Sequence, residues 1–111
     1  MQAINGNNIT ITRGDTLAFT VTVTKDGLPY TPQDDDVIRF AISLGYEGEI
    51  GYRLMFTKVI DNELLTVKMT SEETKMLPSF RSYNYDVQIT FADGVVDTFI
   101  SGKLFVTGEV A

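Results

Sequence analysis

The carboxylates have the best claim to chemistry in this chain. Asp34, Asp35 and Asp36 stand in a row, and Glu47 and Glu49 follow. Such a cluster suits calcium, a hard cation that gathers about six to eight oxygen ligands. The alternating Asp-x-Asp-x-Asp-Gly of a calcium loop is missing, and consecutive side chains on an extended chain point apart. A solvated acidic turn is the expectation, with no metal and no other cofactor assigned. Arg13-Gly14-Asp15 spells the tripeptide that integrins recognise. It also has the composition of a tight turn before a strand, and a three-residue motif recurs by chance, so the turn is preferred. Catalysis has little to work with. The 111 residues include no histidine and no cysteine, which removes the commonest general base, the commonest metal ligand and thiolate chemistry. Ser43, Ser71, Ser79, Ser82 and Ser101 fall in strand, cap or turn contexts. No nucleophile elbow, Ser-x-x-Lys pair or phosphate-cradling glycine loop is present. The expectation is a protein that is not an enzyme.

Composition narrows the partners. A formal net charge of −6 opposes nucleic acid, whose phosphates select basic surfaces. There is no apolar run of the roughly 18 residues a membrane helix needs, and no charged-then-apolar leader. The absence of cysteine fits a reducing compartment. The length suits a single domain over residues 1–111, with 1–8 a loose N-terminal segment that is polar and rich in Asn and Gly.

Strand signals dominate the rest. Leu17, Phe19, Val21 and Val23 alternate with Ala18, Thr20, Thr22 and Thr24, the pattern of a half-buried antiparallel strand. Ile9 to Arg13, Val37 to Leu44, Tyr52 to Ile60 and Leu64 to Thr70 read as further strands, with Asp61-Asn62 joining the last two. Pro29 and Pro32 mark an edge segment, and the three glycines of 45–51 mark a connection. Thr70 and Glu73 have capping-box spacing, so a helix of about two turns is expected from Thr70 to Leu77, stopped by Pro78. A long hairpin closes the chain. With Asp93-Gly94 as a two-residue turn, Phe91 opposes Val96, Ile89 opposes Thr98 and Val87 opposes Ile100. A tyrosine just after the helix, Tyr83 or Tyr85, stands where a corner tyrosine bonds back to the upstream backbone. About seven or eight short strands with frequent turns predict an all-β, immunoglobulin-like antiparallel sandwich with one short helix.

Extending the hairpin alternation puts Val95, Phe99 and Phe105 on the outer face, beside Asp97, Ser101 and Lys103. A β-bulge at Ser101-Gly102 would instead bury Phe105. Val95, Phe99, Phe105 and Tyr46, which stands in the glycine-rich connection, are the candidate protein interface. A carbohydrate-binding module on the same fold is the alternative. It would use exposed aromatics beside carboxylates, either Tyr46 with Glu47 and Glu49, or Tyr30 and Tyr52. A cell-surface adhesion domain is a third reading.

Several stretches recur together in one known setting. They are Ile11-Thr12-Arg13-Gly14-Asp15-Thr16, Asp26-Gly27-Leu28-Pro29-Tyr30, Tyr83-Asn84-Tyr85-Asp86-Val87-Gln88 with Asp93-Gly94 and Thr98, and Gly102-Lys103-Leu104-Phe105-Val106. Over nearly its whole length the chain resembles the N-terminal β-sandwich domain of baseplate upper proteins of tailed phages and prophages of Gram-positive bacteria. The resemblance implies a structural protein of the virion tail or baseplate, made in the bacterial cytoplasm. Its domain docks on the baseplate and helps hold receptor-binding proteins. The partners it implies are other tail or baseplate proteins and further copies of the chain, with no catalytic residues.

Overall fold

The computed structural model describes residues 2–5, as backbone, and 7–110. Among them the chain forms ten strands and one short helix. They are β1 (Gln2–Asn5), β2 (Asn8–Thr12), β3 (Leu17–Thr20), β4 (Thr24–Lys25), β5 (Leu28–Pro29), β6 (Val37–Leu44), β7 (Arg53–Ile60), β8 (Thr66–Met69), α1 (Ser71–Thr74), β9 (Arg81–Thr90) and β10 (Val96–Thr107). The protein is all-β, with its strands in several sheets. The large sheet has six strands in the order β1-β2-β10-β9-β6-β7; β3 pairs with β8, and β4 with β5. Pairing is antiparallel except between β2 and β10, which run parallel.

Alternation decides what each strand buries. Ile38, Phe40 and Ile42 on β6, Tyr83, Tyr85, Val87 and Ile89 on β9, and Leu104 and Val106 on β10 are buried. Leu17, Val21, Val23, Val67 and Met69 bury the facing side of the core. Phe19 on β3 meets Phe40 and Tyr85 of the large sheet edge-on, with ring centroids 6.2 and 6.3 Å apart. Such pairs add about 0.5–1.5 kcal/mol beyond the area they bury. The ladder of β3 ends at Thr20, yet the inward alternation continues, and Val21 N–H still donates to Leu65 O at 2.8 Å.

Five expectations are corrected. The loose start contains a strand: Gln2–Asn5 pairs antiparallel with Asn8–Thr12, while Met1 and Gly6 lie outside the described residues. β7 and β8 form no hairpin. β7 pairs with β6, whereas β8 crosses to β3. Leu65, at φ +49, turns the chain between them, and Asp61 Oδ1 accepts from the N–H groups of Glu63 and Leu64. The capping box forms in both directions, Glu73 N–H to Thr70 Oγ1 and Thr70 N–H to Glu73 Oε1. The helix nevertheless ends at Thr74, because Met76 and Leu77 bond back three residues rather than four. The final hairpin has a three-residue loop, with Phe91 N–H donating to Val95 O and Gly94 at φ +89. Val96 therefore opposes Thr90, and Asp97 opposes Ile89. A bulge at Phe99 then restores the register, so Val87 does oppose Ile100. Finally, Phe99 does not face freely outward. It is half-buried and packs against the core, its place as the extra residue having turned it.

Tyr83 occupies the corner after the helix and donates its hydroxyl to Pro78 O at 2.6 Å. Tyr85 donates instead to Asn7 O, tying the start of β2 to the sheet.

Candidate binding groove on the outer face of the large sheet

The register that buries one side of β6, β9 and β10 sets the other side in rows. Thr98, Gln88, Arg39 and Val59 lie abreast across β10, β9, β6 and β7; so do Ser101, Asp86, Ala41 and Thr57, and then Lys103, Asn84, Ser43 and Leu54. The middle of this face is polar, and it lines a groove among the described residues. The 45–52 connection rises at one end and encloses a groove of about 330 Å³, to which it contributes Tyr46, Glu47 and Tyr52. Gly45, Gly48 and Gly51 give the connection its path, all at positive φ.

Asn84 is the groove's fixed post. It is nearly buried, donates through Nδ2 to Gly45 O at 2.9 Å, and accepts Lys103 Nζ on Oδ1 at 2.5 Å. Ser43 Oγ donates to the same Gly45 carbonyl at 2.8 Å. These bonds hold the connection against the sheet. They also carry the Lys103 ammonium to 5.5 Å from the Tyr46 ring centroid, within cation–π range. Asp86, on the floor, is half-buried, and among the described residues its carboxylate has one hydrogen bond, a long one from Gln88 Nε2 at 3.5 Å. Burial pushes its carboxyl above the usual aspartate range, against the Gln88 bond. The Arg39 guanidinium, one row away, makes no hydrogen bond or ion pair among the described residues. The groove therefore offers a desolvated carboxylate, an open guanidinium, amides, hydroxyls and two tyrosine rings. It can bind and orient a polar ligand. Ser43 and Ser101 also line the groove, and the chain holds no histidine to set beside them.

The acidic turn does other work. Asp36 is 4% exposed, where a solvated carboxylate was expected. It accepts from Tyr30 Oη at 2.5 Å, Gln33 N–H at 2.8 Å and Ala92 N–H at 3.2 Å. Its oxygens are thus spent on joining the β5–β6 turn to the β9–β10 loop, while Asp34 and Asp35 are exposed. Among the described residues no three acidic side chains gather as a metal site would require. Arg13-Gly14-Asp15 is built into the frame as a turn. Arg13 pairs with Glu109 at 3.1 Å and donates to Lys75 O at 2.7 Å, and Thr74 Oγ1 accepts from Gly14 N–H and donates to Asp15 O.

The four interface candidates do not come together. Val95 is exposed at the hairpin end of β10, and Phe105, 39% exposed, lies near the other end beside Ser82 and Thr10. Tyr46 stands over the groove, and Phe99 packs inward. Of the residues weighed for sugar, Tyr46, Tyr52 and Glu47 share the groove. Glu49 lies outside its lining, and Tyr30 sits elsewhere, with its ring against Phe91 and its hydroxyl on Asp36. Sequence reasoning passed over Arg39, Asn84, Asp86, Gln88 and Lys103. The signal was present in β9, where Asn84, Asp86 and Gln88 alternate with four buried apolar residues on a central strand.

No known protein-family model matches the chain, and no curated protein matches its sequence.

Proposed function

We propose that this chain is a non-enzymatic assembly module, an immunoglobulin-like β-sandwich that works through protein–protein contacts as a component of a phage or prophage tail or baseplate. Two features support the sandwich reading. β2 runs parallel to the last strand at the margin of the large sheet, and Tyr83 makes the corner bond to Pro78. The observation that carries the contact reading is the hairpin end of the outer face. Val96, Thr90 and Val37 lie abreast there, and Val95 stands beyond them in the hairpin, its carbonyl bonded to Phe91 N–H. The three valines are 56%, 41% and 55% exposed for Val96, Val37 and Val95. Contiguous apolar side chains on an uncovered sheet face mark a surface that another protein covers. The resemblance to baseplate domains supplies the setting, in which copies repeat in symmetric assemblies. The virion tail or baseplate is then its location, after synthesis in the bacterial cytoplasm.

Light scattering across a concentration series tests this. The wild-type chain is expected to rise from the single-chain mass to a defined multiple, and Val96→Asp to stay at the single-chain mass. A wild-type mass that never exceeds one chain refutes contact between copies through this end.

A further inference from the structure

We infer that the groove between the 45–52 connection and the outer face of β6, β9 and β10 is a binding site for a neutral sugar, a pyranose ring at the end of or within a glycan. The inference goes beyond the assembly reading, rests on different residues, and stands whether or not the hairpin end self-associates.

The lining selects the ligand class. Arg39 and Lys103 face Asp86 and Glu47, two cations against two carboxylates, so the groove favours no net charge on its guest. Two acids are too few for a cation cage and unwelcoming to a phosphate chain. A peptide adding itself as a strand needs an open backbone edge. The floor is β9 and β6, both paired on both sides, so recognition falls to side chains. What remains is a dense set of small polar groups beside aromatic faces, in a volume at the lower end of the usual range for small-ligand sites. The Asp86 carboxylate has one long bond and the Arg39 guanidinium none among the described residues, and Ser101 lies opposite Asp86 on the same face. A carboxylate and a guanidinium each engage two adjacent hydroxyls at once, which is the chemistry a vicinal diol presents. Partial desolvation makes an unanswered Asp86 costly and its satisfaction favourable. Tyr46, 58% exposed, and Tyr52, 37% exposed, line the groove, where the C–H face of a pyranose can stack on their rings. Asn84 fixes the connection to the sheet and Lys103 beneath Tyr46, so the site is formed before a ligand arrives.

The test is a two-dimensional amide NMR titration of the full chain. The methyl glycosides of glucose, galactose, rhamnose and N-acetylglucosamine are each raised to roughly 10 mM, enough to register dissociation constants of about 1 mM. At least one is expected to give saturable shifts in Asn84–Gln88 and Ser101–Lys103. Tyr46→Ala, in the exposed connection, and the isosteric Asp86→Asn are each expected to weaken that binding at least tenfold. The dispersion of each variant's spectrum reports directly that it is folded. The inference is overturned if none of the four glycosides gives saturable shifts in those stretches. It is equally overturned if the shifts persist unchanged in both variants, or appear around Tyr30 and Phe91 instead.

Discussion

Replacing Asp36 by asparagine removes one charge and almost no volume, and the cost can be worked from the bonds. Tyr30 Oη and Gln33 N–H both donate to Oδ2, and Ala92 N–H donates to Oδ1. An asparagine oxygen placed on the Oδ2 side keeps the first two bonds as weaker neutral ones. Its NH2 then faces the Ala92 N–H, donor against donor. Hydrogen bonds to charged groups contribute about 1.5–3 kcal/mol and neutral ones about 1 kcal/mol. One lost bond and two weakened ones come to about 3 kcal/mol, a large part of a domain's total of about 5–15 kcal/mol. With a urea m-value near 2 kcal/mol/M, the midpoint falls by about 1.5 M. The pH dependence sharpens the test. Burial raises the Asp36 carboxyl, but the Gln33, Tyr30 and Ala92 bonds and the Lys25 ammonium outweigh it, holding the folded pKa below the ordinary 3.8. The stabilisation is therefore present above the ordinary aspartate value and is lost as pH falls through the folded one. Asparagine does not titrate, so the gap between wild type and Asp36→Asn is widest near about pH 7 and narrows towards about pH 2. Asp61 and Glu73, whose carboxyls are also held low, titrate in both proteins and cancel. Urea unfolding followed by circular dichroism at several pH values reads the gap. Equal midpoints at neutral pH, or a gap that stays constant on acidification, would refute the reasoning.

Tyr83→Phe keeps the buried ring but leaves Pro78 O without its partner, so thermal unfolding should show a loss of about 1–2 kcal/mol, or about 5 °C. Gly102→Ala would drive a new Cβ into the Asn7 carbonyl that Tyr85 holds. A loss of about 1–3 kcal/mol in urea unfolding is expected, and unchanged stability would contradict the close approach. Tyr46→Ala should cost less than about 0.5 kcal/mol in thermal unfolding, because the residue is exposed and its cation–π contact with Lys103 is at the surface. A large loss there would place Tyr46 in the frame rather than in the site.

The sequence by itself determined which side of most strands is buried. Leu17 to Val23 and Ile38 to Ile42 show it: alternation is a local property, since successive side chains must point to opposite faces. The Asp26-Gly27 turn, with both residues at positive φ, and the Thr70–Glu73 capping box are local in the same sense, each closing within four residues. Partner choice is not local. The short link from β7 to β8 suggested a hairpin, but β7 extends the large sheet on β6, while β8 covers the other side of the core beside β3. Nothing near Ile9 announces that it lies beside Leu104. The hairpin register turned on a three-residue loop and a compensating bulge at Phe99, which cancel and leave no trace in the hydrophobic pattern beyond Ile100. Asp36 looked like its two exposed neighbours, because its burial comes from a loop 56 residues further on. The groove follows the same rule. The polar alternation of Asn84, Asp86 and Gln88 was legible in β9. Only the stacking of β10, β9 and β6 sets Lys103, Asp86 and Arg39 on one floor, and only the Asn84 bond to Gly45 brings the Tyr46 connection over it.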